Sequence, residues 1–345
     1  MSKIAVALSG GVDSSVTAFL LKQAGHEVVG VCANTTNSLE AKQVVKNAKM
    51  VADKLEIPFY ALNVVEIFKE KVIKYFEESY EQGYTPNPCI MCNKYMKWGV
   101  LFDYAINELG VDYVATGHYA NIKENNGFYQ LYPASDEHKD QLYFLFMLSQ
   151  DKLKKTLFPL SKYKKDEVRK IAIENDLPSK SSKESQDICF IQAPMTTKKY
   201  LNNIFKPKEG LFVETGTNKV LGKHSGFWQY TIGQRKGIGL AAPEPLYVIE
   251  IDAQKNIVYI GYKDKLFSNS LILKNVNWSY PQTNKNFEAF VKIRYNMKAV
   301  PAEIKIEEDF VKILFREKVS AIAKGQACVI YSKIDGHLIG GAFIE

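Results

Sequence analysis

An uninterrupted apolar run at residues 4–8 (IAVAL) passes directly into a glycine turn at residues 9–14 (SGGVDS), and apolar residues at helical spacing follow. Such a run is typical of a parallel strand that is buried on both faces. Val16, Phe19 and Leu20 predict a helix that ends near Gly25, because glycine is favoured just after a helix C-terminus. The chain is therefore predicted to begin with a strand, a tight turn and a helix.

The same alternation continues over roughly the first third of the chain. We predict further strands at residues 27–31, 59–62 and 112–116, with helices between them, one of which covers residues 93–109. This order predicts an α/β fold, a Rossmann-like parallel sheet with helices on both faces. A ligand is expected at the carboxyl ends of its strands.

Beyond about residue 205 the pattern changes to short alternating runs that are separated by glycine-rich turns, such as GLFVE at residues 210–214 and ACVIYS at 327–332. Such runs are typical of small β-barrels or sandwiches. We therefore expect a catalytic domain at residues 1–204, followed by two small β-rich domains at residues 205–270 and 271–345.

The composition is that of a globular protein. Of the 345 residues, 46% are hydrophobic and 24% are charged. The sequence contains neither an apolar run long enough to span a membrane nor a cleavable signal pattern, so we expect a cytoplasmic protein without membrane contact. The net charge of +7 is compatible with a polyanionic partner but does not require one. The five cysteines are too few and too unevenly spaced for a disulfide framework.

The glycine turn is suited to holding phosphate. Backbone N–H groups and the positive end of a helix dipole converge at such a strand-to-helix turn. Gly10 and Gly11 would let a ligand approach the backbone, and Ser9 and Ser14 add hydroxyl groups. The turn lacks the lysine of the common GxxxxGK[ST] loop, and this absence favours a role in which pyrophosphate is the leaving group. Asp13, within the turn, is a candidate Mg²⁺ ligand. The alternative is a plain turn that is capped by Ser14.

Two segments of the sequence contain cysteines that are candidates for a reactive role. Cys89 and Cys92 have C-x-x-C spacing, and the predicted helix would place Cys92 in its first turn, where the dipole favours the thiolate. Half of a zinc site or two buried thiols are the alternatives, but the sequence offers no comparable partners and we expect no zinc. Cys189, in SQDICFI at residues 185–191, is either a buried apolar residue or part of an accessible loop.

Each of three further segments allows two interpretations. His118 is either a capping or packing residue or a group near the nucleotide or base. The segment YTIGQRKGIG at residues 230–239 is either a basic loop on RNA phosphate or a solvated turn. Arg294 and Tyr295 either contact single-stranded RNA or pack on a barrel surface.

Considered together, the motifs SGGVDSS, TPNPC and CNK, ATGHYA, KDQLYFL, SQDICFI and YTIGQRKGIGL carry a resemblance that covers nearly the whole chain. The glycine turn resembles that of the ATP pyrophosphatases, which cleave ATP between its α and β phosphates while they adenylate a substrate oxygen. The full set, in order and spacing, resembles the bacterial tRNA-specific 2-thiouridylases. This resemblance implies a sheet of the ATP pyrophosphatase type and a tRNA-modifying enzyme.

The resemblance also implies roles for individual residues. The implied ATP-binding residues are Ala7, Leu8, Ser9, Gly10, Gly11, Val12, Asp13, Ser14, Ala33 and Gly117. The implied tRNA contacts are Asn87, Pro88, Cys89, His118, Lys139, Asp140, Gln141, Arg294, Tyr295 and Gln326. The implied catalytic residues are the nucleophile Cys92, the persulfide carrier Cys189, and Asp13 with Mg²⁺.

The implied reaction is ATP-dependent 2-thiolation of the wobble uridine in the anticodon stem-loop of tRNAs for Lys, Glu and Gln. Transfer of AMP to the uracil C2 oxygen would create a leaving group and release pyrophosphate. A persulfide on Cys189 would deliver sulfur, and attack by Cys92 would leave a disulfide between the two cysteines. The sulfur would come from a cysteine desulfurase or a relay protein.

The sequence departs from the family pattern at two places. Cys89 stands where some members have an aspartate proposed for proton transfer, and residues 32–50 lack the expected aspartates. An ATP pyrophosphatase that forms amides and a catalytically silent tRNA-binding protein are the competing hypotheses. The first has no use for the two matched cysteines, and the intact Ser9, Asp13, Cys92 and Cys189 argue against the second.

Overall fold

The computed structural model describes residues 1–182, 188–192 and 194–345. The strands of its first part are β1 Lys3–Ala7, β2 Glu27–Asn34, β3 Phe59–Asn63, β4 Tyr113–Ala115, β5 Asn121–Asn125, β6 Phe128–Tyr132 and β7 Thr156–Leu157. The main sheet has the order β3-β2-β1-β4-β7 with every pair parallel, and β5 and β6 form a separate hairpin. This arrangement confirms the expected α/β parallel sheet.

The helices pack around this sheet. They are α1 Val12–Gln23, α2 Leu39–Lys54, α3 Val65–Phe68, α4 Lys74–Glu81, α5 Pro88–Cys92, α6 Phe102–Asn107, α7 Gln150–Lys154, α8 Lys165–Glu174 and α9 Thr197–Ile204. π-Helical segments, Lys69–Ile73 and Asn93–Leu101, join α3 to α4 and α5 to α6. The helix expected at residues 93–109 is therefore present, but most of it is π-helical. Within the described ranges, none of the helices could span a lipid bilayer.

The central strand explains why its sequence is apolar at every position. Ile4 and Val6 are buried in the core that α1 and α2 cover, whereas Ala5 faces the opposite core with Val29 and Val31. Successive side chains of a strand point to opposite faces, so both must be apolar when helices cover both faces. The apolar run thus fixes β1 in the middle of the sheet, with the glycine turn at its carboxyl end.

The rest of the chain forms two β-rich sheets, as expected. Their strands are β8 Gly210–Glu214, β9 Val220–His224, β10 Tyr247–Asp252, β11 Ile257–Gly261, β12 Phe267–Leu273, β13 Asn277–Trp278, β14 Asn286–Lys292, β15 Val300–Ile306, β16 Val311–Ser320, β17 Ala327–Ser332 and β18 Leu338–Phe343. The sheet orders are β10-β11-β8-β9 and β12-β16-β15-β14-β17-β18-β13. Because β12 belongs to the last sheet, that sheet begins before the division expected at residue 271.

The last sheet packs directly on the first domain. The hydroxyl of Tyr143 donates to the carbonyl of Ala327 at 2.9 Å, and the side-chain amide of Asn277 donates to the carbonyl of Phe146 at 2.6 Å. Residues of β17 and β18 share one hydrophobic core with the first domain. The C-terminal sheet is therefore a structural support for the elements that carry the candidate site.

We predict that Gly10→Ala destabilises the protein more than Gly127→Ala. Both glycines have positive φ, +72° at Gly10 and +79° at Gly127, so either alanine costs about 1–2 kcal/mol of backbone strain. A Cβ at Gly10 would also lie 2.5 Å from Cβ of Asn47 on α2, and such overpacking adds about 1–3 kcal/mol. The measurement is the free energy of unfolding in urea. Equal losses in the two variants would show that the contact with α2 is not tight.

Candidate active site

The glycine turn leaves the sheet at the carboxyl end of β1. Gly11 is the N-cap of α1 and has no side chain with which to cap it. The hydroxyl of Ser14 accepts the N–H of Ser9 at 3.2 Å and donates to the carbonyl of Gly11 at 3.2 Å, so it braces the turn from within. The first N–H groups of α1 therefore keep the arrangement that binds anions at helix N-termini.

The other residues of the implied ATP set have different surroundings. Leu8 and Val12 are buried and anchor the turn in the core. Ala7 and Ala33 are partly buried at the ends of β1 and β2. Gly10 packs against α2, where its missing Cβ makes room for Asn47. That Gly10 also lets a ligand approach the backbone of the turn stays a prediction.

The segment that follows β4 closes on the turn. A Cβ at Gly117 would lie 2.8 Å from the backbone of both Asp13 and Ser14, so only glycine allows this approach. Two residues later, the Tyr119 hydroxyl donates to Oδ1 of Asp13 at 2.9 Å. The backbone N–H of Tyr119 donates to Oε1 of Gln141, and the backbone N–H of Gln141 donates to the carbonyl of Tyr119, both at 3.0 Å.

The carboxylate of Asp13 is paired with a lysine that sequence reasoning missed. Lys165 Nζ lies 2.7 Å from both carboxylate oxygens. The Lys165 side chain is 11% exposed and that of Asp13 is 34% exposed. Lys165 is far from the turn in sequence, and nothing in the pattern of α8 distinguishes it from a lysine on a solvated helix face.

The cysteines of the C-x-x-C motif do not lie as expected. The side chain of Asn87 caps α5 by accepting the N–H of Cys89 at 3.2 Å, and Pro88 is buried at the first position of that helix. Cys89 is therefore the thiol in the first turn. Cys92 is the last residue of α5, so its expected position in the first turn is wrong.

Cys189 lies in a turn and is exposed, which excludes the interpretation as a buried strand residue. The neighbouring Phe190 holds this turn, because its ring contacts Phe68 and Phe76 with centroid distances of 5.9 Å and 5.3 Å. The polar residues 183–187, expected to form an accessible loop, lie outside the described residues. Across the described part of the chain, no three His, Cys, Asp or Glu side chains gather as a metal site would require.

The three thiols form one electrostatic cluster around Lys97. Desolvation by the surrounding protein raises the pKa of Cys89, of Cys92 and of Cys189, the last to about 12, although Cys89 and Cys189 are exposed. The charge of Lys97 acts on all three thiols and lowers each pKa. Negative charge on Cys89 or Cys92 raises the pKa of Cys189 further, so these thiols lie within reach of one another's charge. The expectation that the helix dipole makes Cys92 a ready thiolate is therefore wrong.

A buried histidine fixes the position of Lys97. His118 is 6% exposed, and its Nε2 lies 3.2 Å from Lys97 Nζ. An ammonium group can only donate, so Nε2 accepts and the proton resides on Nδ1, which donates to the Thr116 hydroxyl at 2.7 Å. Desolvation and the Lys97 charge hold the pKa of His118 well below its ordinary value of 6.5, so the ring is neutral. The structure favours the packing interpretation, and a contact of His118 with tRNA stays a prediction.

The segment expected to contact tRNA at Lys139, Asp140 and Gln141 lies beside Tyr119. Asp140 accepts the backbone N–H groups of Ala134 and Leu142 at 3.4 Å and 3.3 Å. Desolvation nevertheless raises the pKa of Asp140 to about 6. The Asp140 carboxylate therefore stabilises the backbone of this segment through these two hydrogen bonds. The neighbouring Lys139 is partly exposed.

The C-terminal residues of the implied tRNA set have contacts within the chain. Arg294 donates to the carbonyl of Ser320 at 2.7 Å, and the Tyr295 ring packs on Phe144 with a centroid distance of 4.5 Å. The side-chain amide of Gln326 donates to the carbonyl of Thr85 at 2.7 Å, just ahead of α5. Gln326 thus helps to position the helix that carries Cys89 and Cys92. None of these contacts tests whether tRNA binds there.

Comparison with known proteins adds a second line of observation. Residues 2–193 match the tRNA methyl transferase HUP domain family, residues 198–262 the tRNA methyl transferase PRC-barrel domain family, and residues 268–344 the aminomethyltransferase beta-barrel domain family. The tRNA-specific 2-thiouridylase MnmA 1 of Clostridium tetani is 44% identical over 99% of this chain and 96% of its own. The tRNA-specific 2-thiouridylase MnmA of Carboxydothermus hydrogenoformans is 44% identical over 99% of this chain and 97% of its own.

We predict that the Asp140 carboxyl group titrates near pH 6 in the folded protein. Its pKa of about 6 lies above the ordinary value of 3.8, so the folded state binds the proton more tightly than the unfolded state does. The wild type should therefore lose stability relative to Asp140→Asn as the pH rises from about 4 to about 6, and the difference should level off above that. The measurement is the difference in unfolding free energy at a series of pH values. A constant difference would contradict the raised pKa.

Proposed function

The chain belongs to the family of tRNA-specific 2-thiouridylases and is an enzyme with that activity, and we propose that Cys92 and Cys189 transfer the sulfur. The observation that carries this assignment is the cluster of thiols around Lys97, which includes two cysteines that are far apart in the sequence. The family is ATP-dependent and acts on tRNA. The residue roles, the target position in tRNA and the sulfur donor are parts of the proposal.

The first step is adenylation of the wobble uridine. A bond forms between the uracil C2 oxygen and the α-phosphorus of ATP, and the bond between the α and β phosphates breaks with release of pyrophosphate. The open N-terminus of α1 and the closing contact of Gly117 support the glycine turn as the site of the phosphates. Asp13 has the donor chemistry for Mg²⁺, but the ion would have to displace Lys165 from it. When bound, Mg²⁺ neutralises charge on the phosphates.

The second step exchanges oxygen for sulfur. The terminal sulfur of a Cys189 persulfide attacks C2, and AMP leaves with the former C2 oxygen. The Cys92 thiolate then attacks the Cys189 sulfur, which releases the 2-thiouridine and forms a Cys92–Cys189 disulfide. A dithiol reductant opens this disulfide, and a persulfide from a cysteine desulfurase or relay protein reloads Cys189.

The anticodon stem-loop of tRNAs for Lys, Glu and Gln is the proposed substrate. Cys89 is exposed beside Cys92 in the proposed base site, and Arg235 and Lys236 are exposed on the turn at residues 230–239, where they can reach RNA phosphate. Lys139 offers a further cation. The side chains of His118, Arg294, Tyr295 and Gln326 have intrachain partners, so a contact with tRNA requires that these contacts adjust.

We predict that the protein exchanges oxygen for sulfur in the wobble uridine and that Cys92→Ser and Cys189→Ser both abolish this exchange. Unthiolated tRNA is incubated with ATP, Mg²⁺ and a persulfide donor, and the nucleosides are identified by mass spectrometry. Both variants should still form AMP on tRNA, since their hydroxyl groups cannot transfer sulfur but the glycine turn is intact. Cys328→Ala is the control, because it removes a thiol from the core of the last sheet.

The results distinguish the competing functions. Thiolation that survives in Cys189→Ser would overturn the assigned cysteine roles. Binding of tRNA by the wild type without any AMP formation would favour the silent binding protein. Formation of AMP on a small carboxylate, independent of tRNA, would favour the amide-forming enzyme.

We further predict that Lys97→Met shifts thiol reactivity to higher pH. The Lys97 charge lowers the pKa of each thiol in the cluster, so its removal leaves desolvation unopposed. The measurement is the pH midpoint of iodoacetamide alkylation at Cys92 and Cys189, resolved by peptide mass spectrometry. Lys94→Met is the matched control, since Lys94 lies over the Tyr95 ring at 5.2 Å. An unchanged midpoint in Lys97→Met, or an equal shift in Lys94→Met, would contradict the role of Lys97.

A further inference from the structure

The proposed sulfur transfer leaves Cys189 in a form that cannot be used again. It ends with Cys189 joined to Cys92, and a cysteine within a disulfide has no free sulfur that could receive a new persulfide. Cys89 takes no part in these steps, although it is a third free thiol and is exposed. One sulfur of the thiol cluster is therefore without a role in the reaction.

Cys89 and Cys92 lie one turn apart on the same helix. They are the second and the fifth residue of α5. Residues at this spacing on an α-helix are surface neighbours, and their Cα atoms are about 5 Å apart. Disulfides join Cα atoms that are about 4.4–6.8 Å apart. The backbone of α5 therefore already has the spacing that a disulfide between Cys89 and Cys92 requires.

The turn that carries Cys189 packs beside α5. Its Phe190 and Cys92 of α5 both pack against one hydrophobic core, which includes Phe68. The rings of Phe190 and Phe68 have a centroid distance of 5.9 Å. Negative charge on Cys92 or on Cys89 acts on Cys189, which agrees with this packing. The three sulfurs thus share one place, although Cys189 lies on a separate element.

Lys97 favours both ends of an exchange between these sulfurs. Desolvation raises the pKa of Cys89 and the charge of Lys97 lowers it, so Lys97 favours the attacking thiolate. The charge of Lys97 also lowers the pKa of Cys189, which desolvation raises, so it favours Cys189 as a leaving thiolate.

We propose that Cys89 releases Cys189 by thiol–disulfide exchange after each sulfur transfer. The Cys89 thiolate attacks Cys92 Sγ, a bond between these two sulfurs forms, and the bond to Cys189 breaks. Cys189 leaves with the electron pair and takes up a proton in place of the one that Cys89 lost, so the step involves no net oxidation or reduction. The inference rests on the proposed sulfur transfer and assigns a further cysteine to it. A dithiol reductant then opens the Cys89–Cys92 disulfide, while Cys189 is already free for the next persulfide.

The test locates the disulfide in the full chain after one round of thiolation. Protein that carries one persulfide reacts with unthiolated tRNA, ATP and Mg²⁺ without reductant, and the remaining thiols are alkylated with N-ethylmaleimide in acid. Trypsin leaves Cys89 and Cys92 together on residues 75–94 and Cys189 on another peptide, so mass spectrometry distinguishes the two disulfides. The wild type should contain mainly Cys89–Cys92 and alkylated Cys189. A predominance of Cys92–Cys189 would overturn the inference.

Two substitutions separate disulfide exchange from other roles of Cys89. Neither Cys89→Ser nor Cys89→Asp can form a disulfide at this position, but the carboxylate of Cys89→Asp can transfer a proton. Both variants should therefore keep the Cys92–Cys189 disulfide after thiolation. Release of Cys189 in either variant without reductant would show that Cys89 is not needed for the exchange. Cys328→Ala is the control and should match the wild type, because Cys328 lies in the core of the last sheet.

Oxidation in a glutathione buffer tests the exchange without tRNA. The Cys89–Cys92 disulfide should form in the wild type and in Cys189→Ser. After removal of the buffer, the oxidised wild type should take up one sulfur atom at Cys189 from a persulfide donor, and oxidised Cys89→Ser should take up none. Equal uptake by the two proteins would overturn the role of Cys89. The expected uptake together with an absence of 2-thiouridine in the tRNA assay would overturn the proposed function alone.

Discussion

The candidate site depends on the close approach of the segment after β4 to the first turn of α1. The missing side chain of Gly117 permits this approach, and the next two residues, His118 and Tyr119, then reach different parts of the site. His118 holds Lys97 beside the thiols, and Tyr119 holds Asp13 in the turn. One short segment therefore contacts both the glycine turn and the lysine whose charge acts on the thiols.

The last sheet contributes to the site without carrying its chemistry. The carbonyl of Lys324 accepts the N–H of Thr85 at 2.7 Å, and the Gln326 side chain donates to the carbonyl of Thr85. A Cβ at Gly325 would lie 2.9 Å from Cβ of Tyr84, so this turn is closely packed against the entry to α5. The position of Cys92 thus depends on residues more than two hundred positions away. The packing of the last sheet on the first domain therefore helps to position a proposed catalytic cysteine.

The parts of the fold that local sequence determines could be predicted, and those that depend on distant contacts could not. The apolar run at residues 4–8 requires a strand with both faces covered, and the glycine turn follows from the same short stretch. Lys165 and Lys97 carry no such signal, because a lysine in a helix is most often solvated and only tertiary packing directs these two inward. The same holds for Cys92: the sequence shows that it lies near a helix start, whereas the desolvation that raises its pKa comes from the folded protein around it.

The neutral state of His118 is necessary for the electrostatics of the thiol cluster. A protonated imidazole has no acceptor, so it would lose the hydrogen bond to Lys97 and repel its ammonium. Burial against Trp98 and Phe158 prevents this protonation, because the ring is desolvated and its pKa is held well below neutrality. A buried neutral ring can therefore direct a cation, and that cation lowers the pKa of each thiol, although desolvation is the larger effect and the pKa of all three stays raised. The same burial that removes His118 from solvent gives Lys97 its orientation, so the packing role of this histidine is also its contribution to the chemistry.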